Sequence, residues 1–283
     1  MALANEILKF FATYIEAETG IVYTDVNYYQ LENRLVDIAT QLGCATPVEL
    51  YERARAQGFD PSMRLLLLDT ATNNETLFFR DIPVFKALAG LMGQVATAQT
   101  NPFRIWSAAC STGQEIYSLA ILATEQRVKT PGFAWSILAT DFSERVLKRA
   151  EEGRYSQLEV QRGLSAARLI QHFEQVAERD GGITSWAVRA ALKAHMKFKP
   201  LNLITPWPDL GTFDLILCRN VLIYQNVENK IKVIEKLFER LAPGGHLVLG
   251  GAESLIGLSN RFEFVATDGA VIYRRPATGS AAA

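Results

Sequence analysis

Residues 104–115, RIWSAACSTGQE, hold the pattern that decides the fold. The apolar run Arg104 to Ala109 is typical of a short buried strand, and a helical pattern follows over Ile116 to Glu125. Small residues between them let the backbone approach a ligand closely, and the helix N-terminus offers unpaired amides. One glycine and no Walker lysine argue against a dinucleotide fingerprint and a P-loop. Taken alone, the segment fits a plain strand-to-helix turn equally well.

Short apolar runs alternate with helical patterns along the chain after about Pro102. This alternation predicts an α/β fold, a doubly wound sheet with parallel strands. Two apolar runs around Thr267-Asp268-Gly269 predict a final antiparallel hairpin. The other strands are predicted at Arg104 to Ala109, Trp135 to Ala139, Phe213 to Cys218 and His246 to Leu249, and helices at Ile116 to Glu125, Glu144 to Glu151 and Val227 to Leu241.

The first 80 residues carry helical patterns only, without strand-like alternation. Apolar residues at helical spacing, each run followed by glycine or preceded by proline, indicate four helices. They are predicted at Ile7 to Ile15 before Gly20, at Leu31 to Leu42 before Gly43, from Pro47 to Gly58, and after Pro61. We therefore predict a small all-α N-terminal domain over 1–80 and an α/β domain over 81–276.

The alternation is interrupted between about 154 and 193. Apolar runs on both sides of Arg179-Asp180-Gly181-Gly182 predict a β-hairpin inserted as a small subdomain, and a longer helix with a loop is the alternative. The last residues, 277–283, predict a disordered tail.

Composition excludes several classes of protein. A chain of 283 residues with 49% hydrophobic residues and a net charge of -1 is expected to fold. The net charge is −5 over residues 1–80 and +4 over the remaining residues. Neither value is positive enough to predict nucleic-acid binding through net charge alone. Neither a bilayer-spanning apolar run nor the basic start of a signal peptide is present, so a soluble, cytoplasmic protein is expected. The three cysteines and three histidines are isolated, so no metal site is expected.

Three further segments place polar residues where a strand or helix ends. Asp141 stands where doubly wound folds hold a ribose diol, and the alternative is that Asp141 or Ser143 is simply the N-cap of the next helix. Arg219 and Asn220 leave an apolar strand at the edge where ligands collect, with a cap and a salt bridge as the alternative. The segment from Thr72 to Asp81 joins amides, hydroxyls, two aromatic rings and a guanidinium. By itself it favours a solvated helix end with Phe78 and Phe79 in the core.

Together the four segments resemble the CheR-type chemotaxis receptor methyltransferases, over nearly the whole chain. The motifs are Asn-x-Thr-x-Phe-Phe-Arg at 74–80, Ala-Ala-Cys-Ser-Thr-Gly at 108–113, Asp141, Leu-Asn-Leu at 201–203 and Cys-Arg-Asn-Val-Leu-Ile-Tyr at 218–224. The family transfers a methyl group from S-adenosylmethionine to receptor glutamates and forms glutamyl methyl esters. The resemblance thus implies a Rossmann-like S-adenosylmethionine-dependent methyltransferase sheet.

The resemblance also implies the residues of the site. Asp141 would hold the ribose hydroxyls, and Glu115 would lie near the methionine amino group of the cofactor. Arg80 and Tyr224 would lie closest to the transferred methyl and form the catalytic pair. The cofactor would be surrounded by Asn74, Thr76, Arg80, Glu115, Asp141, Asn202, Leu203, Arg219 and Asn220.

The chain departs from the family pattern at three places. Gln114 and Ile116 stand where many members have Glu and Pro, and Asp180-Gly181-Gly182 lacks the fuller glycine pattern with which some relatives dock a receptor's C-terminal pentapeptide. We therefore predict a pentapeptide-independent enzyme. It is expected to be a monomer, not inserted in a membrane, that acts on the cytoplasmic domain of methyl-accepting chemotaxis receptors. A non-catalytic signalling module that binds S-adenosylmethionine or S-adenosylhomocysteine, or a methyltransferase for another protein, is the alternative.

Overall fold

The computed structural model describes residues 3–71, 74–97, 101–177, 185–267 and 269–277. The chain divides into two compact units. The helical unit comprises Met1–Asn73 with Tyr224–Lys230, and the α/β unit comprises Asn74–Ile223 with Ile231–Ala283. The domain limits of 1–80 and 81–276 stay a prediction.

The helical unit is built from the four predicted helices. Gly20 ends the first with a φ of 74°, a left-handed conformation that glycine adopts without steric cost. Thr46 opens the third, where its hydroxyl accepts a hydrogen bond from the Glu49 amide at 3.2 Å. The helices are α1 Asn5–Thr19, α2 Tyr28–Gln41, α3 Pro47–Gln57 and α4 Pro61–Ala71.

The core of the helical unit contains fully buried Phe11, Leu35, Leu50 and Leu67, one from each helix. The segment 224–230 belongs to this unit, and both its backbone and a side chain form hydrogen bonds with it. The Val22 amide donates to the Tyr224 carbonyl oxygen at 2.9 Å, and the Gln225 side chain donates to the Thr19 carbonyl oxygen at 3.2 Å.

The α/β unit contains the strands of the described chain in two sheets. The strands are β1 Phe103–Ser107, β2 Trp135–Asp141, β3 Arg154–Ser156, β4 Phe173–Val176, β5 Ser185–Val188, β6 Met196–Pro200, β7 Phe213–Cys218, β8 Leu241–Leu249, β9 Glu263–Thr267 and β10 Ala270–Arg274. The helices after α4 are α5 Ile82–Ala96, α6 Gln114–Lys129, α7 Glu144–Glu152, α8 Gln157–Gln161, α9 Ala166–His172, α10 Ala190–Lys193 and α11 Val227–Arg240, with a 3₁₀ turn at Leu222–Tyr224.

The larger sheet has the strand order β6-β2-β1-β7-β8-β10-β9. The five strands from β6 to β8 are parallel, and β10 runs antiparallel to both β8 and β9. The predicted parallel sheet and its antiparallel end are therefore confirmed, with Asp268 outside the described residues. The strand β6 was not predicted, because Lys197 and Lys199 interrupt its apolar residues, as is common on an edge strand.

Both faces of this sheet are covered, which explains the continuous apolar runs of its strands. Successive side chains of a strand point to opposite faces. Ile105 accordingly packs in the cluster that contains Leu88 of α5 and Leu119 of α6, whereas Trp106 packs in the cluster that contains Leu237 of α11.

The smaller sheet, in the order β3-β5-β4, is antiparallel. The pairing of β4 with β5 confirms the predicted hairpin, and the alternative of a longer helix with a loop is wrong. Its predicted turn at 179–182 lies outside the described residues, as do residues 278–283 of the predicted tail. No described helix is both long enough and apolar enough to cross a bilayer.

Gly163 is where the inserted segment approaches the backbone of Phe78. Its φ is 110°, and a Cβ atom added there would stand 1.8 Å from the Phe78 carbonyl oxygen. Gly132 is a matched position, with a φ of 100° and no atom within 4 Å of an added Cβ. We expect Gly163→Ala to lower the free energy of unfolding by about 1–3 kcal/mol more than Gly132→Ala, measured by urea titration with circular dichroism. Equal losses in the two variants would contradict the close approach.

Candidate active site

The turn between β1 and α6 is tightly packed. Gly113 has a φ of 97°, and an added Cβ would lie 2.8 Å from the Tyr155 hydroxyl and 3.0 Å from Ala150 Cβ. Ser111 takes a left-handed conformation with a φ of 50°. Its hydroxyl donates to the Asn74 carbonyl oxygen at 3.0 Å. The turn therefore fixes the segment that begins at Asn74.

Asp141, at the end of β2, holds the same turn from the other side. The residue is 6% exposed, and its carboxylate accepts the Ser111 amide at 2.8 Å and the Ser143 amide at 3.1 Å. The N-cap of α7 is Ser143, whose hydroxyl accepts from the Val146 amide. Of the two N-cap candidates, Ser143 is the cap and Asp141 is not, and the ribose role of Asp141 stays a prediction. The carboxylate of Asp141 therefore links the turn after β1 to the start of α7.

The segment 74–81 is anchored by its aromatic residues. Phe78 is buried and meets Tyr155 and Phe173 edge-on, at ring-centroid distances of 5.0 and 5.6 Å. The Phe79 amide donates to the Ser118 hydroxyl of α6 at 2.9 Å. Both rings lie in the core, as predicted. Because both rings are held in the core, the backbone path from Asn74 to Phe78 is fixed.

Arg219, the first residue after β7, lies between two carboxylates. Its side chain is 2% exposed, and Nη1 donates to Glu115 Oε2 at 2.8 Å. Nη2 donates to Asp81 Oδ2, and Nη1 lies 3.5 Å from the Arg80 carbonyl oxygen. Burial works against the charged guanidinium, but Glu115 and Asp81 outweigh it, so the pKa of Arg219 is raised above its ordinary value. Its Nε is buried without a hydrogen-bond partner among the described residues.

Glu115, in the first turn of α6, joins this network to β1. Its side chain is 13% exposed, and Oε1 accepts a hydrogen bond from the Ser107 hydroxyl at 3.3 Å. An acid in the first turn also suits the positive end of the helix dipole. The carboxylate is thereby held from two directions at the carboxyl end of β1.

The segment 201–207 follows β6 and is tied to Asp141. The Leu201 amide donates to the Asp141 carbonyl oxygen at 2.9 Å, and Asn202 Oδ1 accepts from the Ile204 amide at 3.1 Å. Lys236 of α11 donates from Nζ to the carbonyl oxygens of Leu203 and Thr205. Burial lowers the pKa of Lys236 to about 8. The loop that carries Asn202 and Leu203 is therefore fixed at both ends.

Four non-glycine residues of the described chain have a positive φ: Phe79, Asp81, Ser111 and Asn220, at 52°, 65°, 50° and 58°. Such conformations cost about 1–3 kcal/mol each and concentrate at functional sites. All four lie in the segments from which the sequence predicted the site.

The structure joins most of the predicted cofactor residues through two chains of contacts. Asn74 is joined to Asp141 through Ser111, and Arg80 is joined to Glu115 through Arg219. Asn74 and Thr76 also line a polar cavity of about 340 Å³. Tyr224 belongs to the helical unit, so its place beside the methyl group stays a prediction. In the part of the chain that the structure describes, no group of three or more His, Cys, Asp or Glu residues could hold a metal ion.

Sequence reasoning missed Asp81 and Lys236. Asp81 was quoted only as the end of its segment, although its position beside Arg80 left it one residue from a predicted ligand. Lys236 gave no signal, because a lysine in an amphipathic helix is ordinarily a solvent-exposed residue.

The residues of this network lie in a segment that matches a known protein family. Residues 74–271 match the family described as "CheR methyltransferase, SAM binding domain". The chain is 37% identical over 276 residues to the chemotaxis protein methyltransferase of Vibrio parahaemolyticus, covering 97% of this chain and 98% of that protein. It is 36% identical over 279 residues to chemotaxis protein methyltransferase 1 of Pseudomonas aeruginosa, covering 97% and 99%. The Escherichia coli chemotaxis protein methyltransferase is 30% identical over 263 residues, with 93% and 89% covered.

The buried ion pairs of Arg219 predict a large stability loss on truncation. Arg219→Met leaves the carboxylates of Glu115 and Asp81 without their guanidinium, and we expect the free energy of unfolding to fall by about 3 kcal/mol. Arg240→Met is the matched control, since its partner Asp209 is 87% exposed and the loss should stay below about 1 kcal/mol. Urea titration of both variants measures the difference. A mild effect at Arg219 would contradict the assigned network.

Proposed function

Because the chain belongs to the CheR methyltransferase family, we propose that it transfers a methyl group from S-adenosylmethionine to glutamate carboxylates of methyl-accepting chemotaxis receptors, forming glutamyl methyl esters. The observation that carries the proposal is the network of Arg219, Glu115 and Asp81 at the carboxyl edge of the parallel sheet, within the residues that match the family. Ligands of doubly wound sheets bind at this edge.

The residues at this edge fit S-adenosylmethionine. Asp141, a carboxylate at the end of β2, is proposed to accept the ribose hydroxyls, as acids at this place do in doubly wound folds. Glu115 would accept a hydrogen bond from the amino group of the cofactor. The buried Nε of Arg219 would donate to the carboxylate of the cofactor. A buried donor of this kind ordinarily has a partner, and a bound carboxylate supplies one. Asn74, Thr76, Asn202, Leu203 and Asn220 are proposed to complete the surroundings of the cofactor.

The cofactor, when bound, supplies an electrophilic methyl group on a sulfonium. The receptor glutamate has an ordinary pKa of about 4.3, so its carboxylate is ionised at neutral pH and needs no general base. The chain's task is therefore to hold this carboxylate in line with the methyl group, which is an effect of orientation. Arg80 and Tyr224 are proposed for that task. A guanidinium binds a carboxylate through two parallel hydrogen bonds, and a phenol hydroxyl adds a single one.

The cytoplasmic domain of the receptor is the proposed partner, and the chain is proposed to act in the cytoplasm as a monomer. Independence from a receptor pentapeptide also stays a prediction, since residues 178–184 lie outside the described chain.

The chemistry of the product tests the proposal. Purified chain, cofactor labelled with tritium in its methyl group, and the receptor fraction of the chain's own host should give labelled receptor. The label should be released as methanol by mild alkali, because carboxylate esters hydrolyse readily. Label that resists alkali would contradict an ester. Label on a different protein would favour that protein as the substrate, and cofactor binding without transfer would favour a signalling module.

The ribose role of Asp141 is tested separately by calorimetry with S-adenosylhomocysteine. We expect Asp141→Ala to lower the affinity by about 100-fold, since hydrogen bonds to a charged group contribute about 1.5–3 kcal/mol each. Asp209→Ala serves as the control, because Asp209 also accepts a backbone amide but lies outside the predicted site. Unchanged affinity in Asp141→Ala would exclude the ribose role.

A further inference from the structure

Glu253, in the loop after β8, accepts hydrogen bonds from four backbone amides. Three belong to the loop after β7: Asn220 at 2.7 Å, Val221 at 2.9 Å and Ile223 at 3.2 Å. The fourth is the Gly250 amide of its own loop, at 2.7 Å. A carboxylate has about four acceptor positions, so these amides account for its ordinary capacity. β7 and β8 are adjacent and parallel, so their loops leave the sheet at the same edge.

The loop that Glu253 holds begins in a strained conformation. Asn220 has a φ of 58°, and Arg219, directly before it, is buried on its two carboxylates. A left-handed residue persists only where its surroundings hold it there. Hydrogen bonds from three amides of the loop to one carboxylate provide that constraint, because hydrogen bonds to a charged group are stronger than neutral ones.

Gly250 shows how closely the two loops approach each other. An added Cβ would lie 2.7 Å from Asn220 Nδ2, 2.8 Å from the Asn220 amide nitrogen and 2.8 Å from Glu253 Oε2. At the next position, Gly251, an added Cβ would meet no atom within 4 Å. The absence of a side chain at Gly250 is therefore what lets the carboxylate reach the Asn220 amide.

From these contacts we propose that Glu253 is a positioning residue for the cofactor site. Its carboxylate fixes the conformation of residues 219–223, and through them it sets the places of Arg219 and Asn220 and the affinity for the cofactor. Glu253 acts through these residues and is not itself proposed to touch the cofactor. The inference rests on the proposed function, in which Arg219 and Asn220 surround S-adenosylmethionine.

Two variants test the contact between the Glu253 carboxylate and the loop after β7, one by changing the acceptor and the other by changing the distance between the loops. Glu253→Gln keeps the size of the side chain but turns one acceptor into an NH₂ donor that faces backbone donors. Gly250→Ala leaves the carboxylate unchanged and forces the two loops apart. Gly251→Ala is the matched control for the second variant, and Asp209→Asn is the matched control for the first, because Asp209 accepts the Gly211 amide outside the site.

We expect Glu253→Gln and Gly250→Ala to weaken S-adenosylhomocysteine binding about tenfold in calorimetry and to raise the KM for S-adenosylmethionine by a similar factor. The KM for the receptor and the stoichiometry of binding should stay at their wild-type values. The two control variants, Gly251→Ala and Asp209→Asn, should bind S-adenosylhomocysteine with wild-type affinity. Variants that melt at a lower temperature but bind with wild-type affinity would overturn the inference, since Glu253 would then only stabilise the fold.

The two proposals fail separately in this experiment. If the wild type binds S-adenosylhomocysteine and does not methylate receptors, the proposed substrate is wrong. A tenfold loss of affinity in the two variants would still support the positioning role of Glu253.

Discussion

A buried guanidinium is stable only where carboxylates or other acceptors surround it, and Arg219 imposes this requirement on the α/β unit. Its side chain is 2% exposed, and the carboxylates of Glu115 and Asp81 both reach it and balance its charge. Glu115 is supplied by the first turn of α6, Asp81 by the residue before α5, and Arg219 itself by the end of β7. These two ion pairs therefore fix the relative positions of three chain segments that are far apart in sequence.

The loops around Arg219 are held by a second kind of interaction, in which a carboxylate accepts backbone amides. Asp141 does this for the turn after β1, and Glu253 does it for the loop after β7. Both loops contain a residue with positive φ, Ser111 in one and Asn220 in the other. The free energy that these strained residues cost is offset locally by charge-assisted hydrogen bonds. The strain is thus compensated at the sheet edge where it occurs.

The sequence predicted the helices and strands whose apolar residues recur at a regular spacing because one or both faces are buried. It missed residues whose role depends on contacts with residues far away in the sequence. Ile105 and Trp106 lie in a run that is buried on both faces, so the strand was recognisable, whereas Lys197 and Lys199 concealed the edge strand β6. Asp141 was predicted as a ribose ligand because an acid after this strand has that role in doubly wound folds, and the role stays a prediction. The position of Glu253 in the sequence has no comparable role in doubly wound folds that would have marked it. Its four amide partners include three that lie 30–33 residues away, and no periodicity or spacing connects them.

The proposed reaction sets two electrostatic demands that oppose each other, because its cofactor carries a cationic sulfonium and its substrate is an anionic carboxylate. An edge lined only with acids would attract the sulfonium and repel the receptor glutamate. Arg219 neutralises one of the two carboxylates that it binds, and Arg80, whose Nη1 donates to the Glu75 carbonyl oxygen at 3.2 Å, adds a second positive charge in the adjoining segment. Asp141 supplies a further carboxylate at the end of β2, on the side proposed for the ribose. In the proposed reaction, this division of charge would let one sheet edge accept a cation and an anion together, as in-line transfer between them requires.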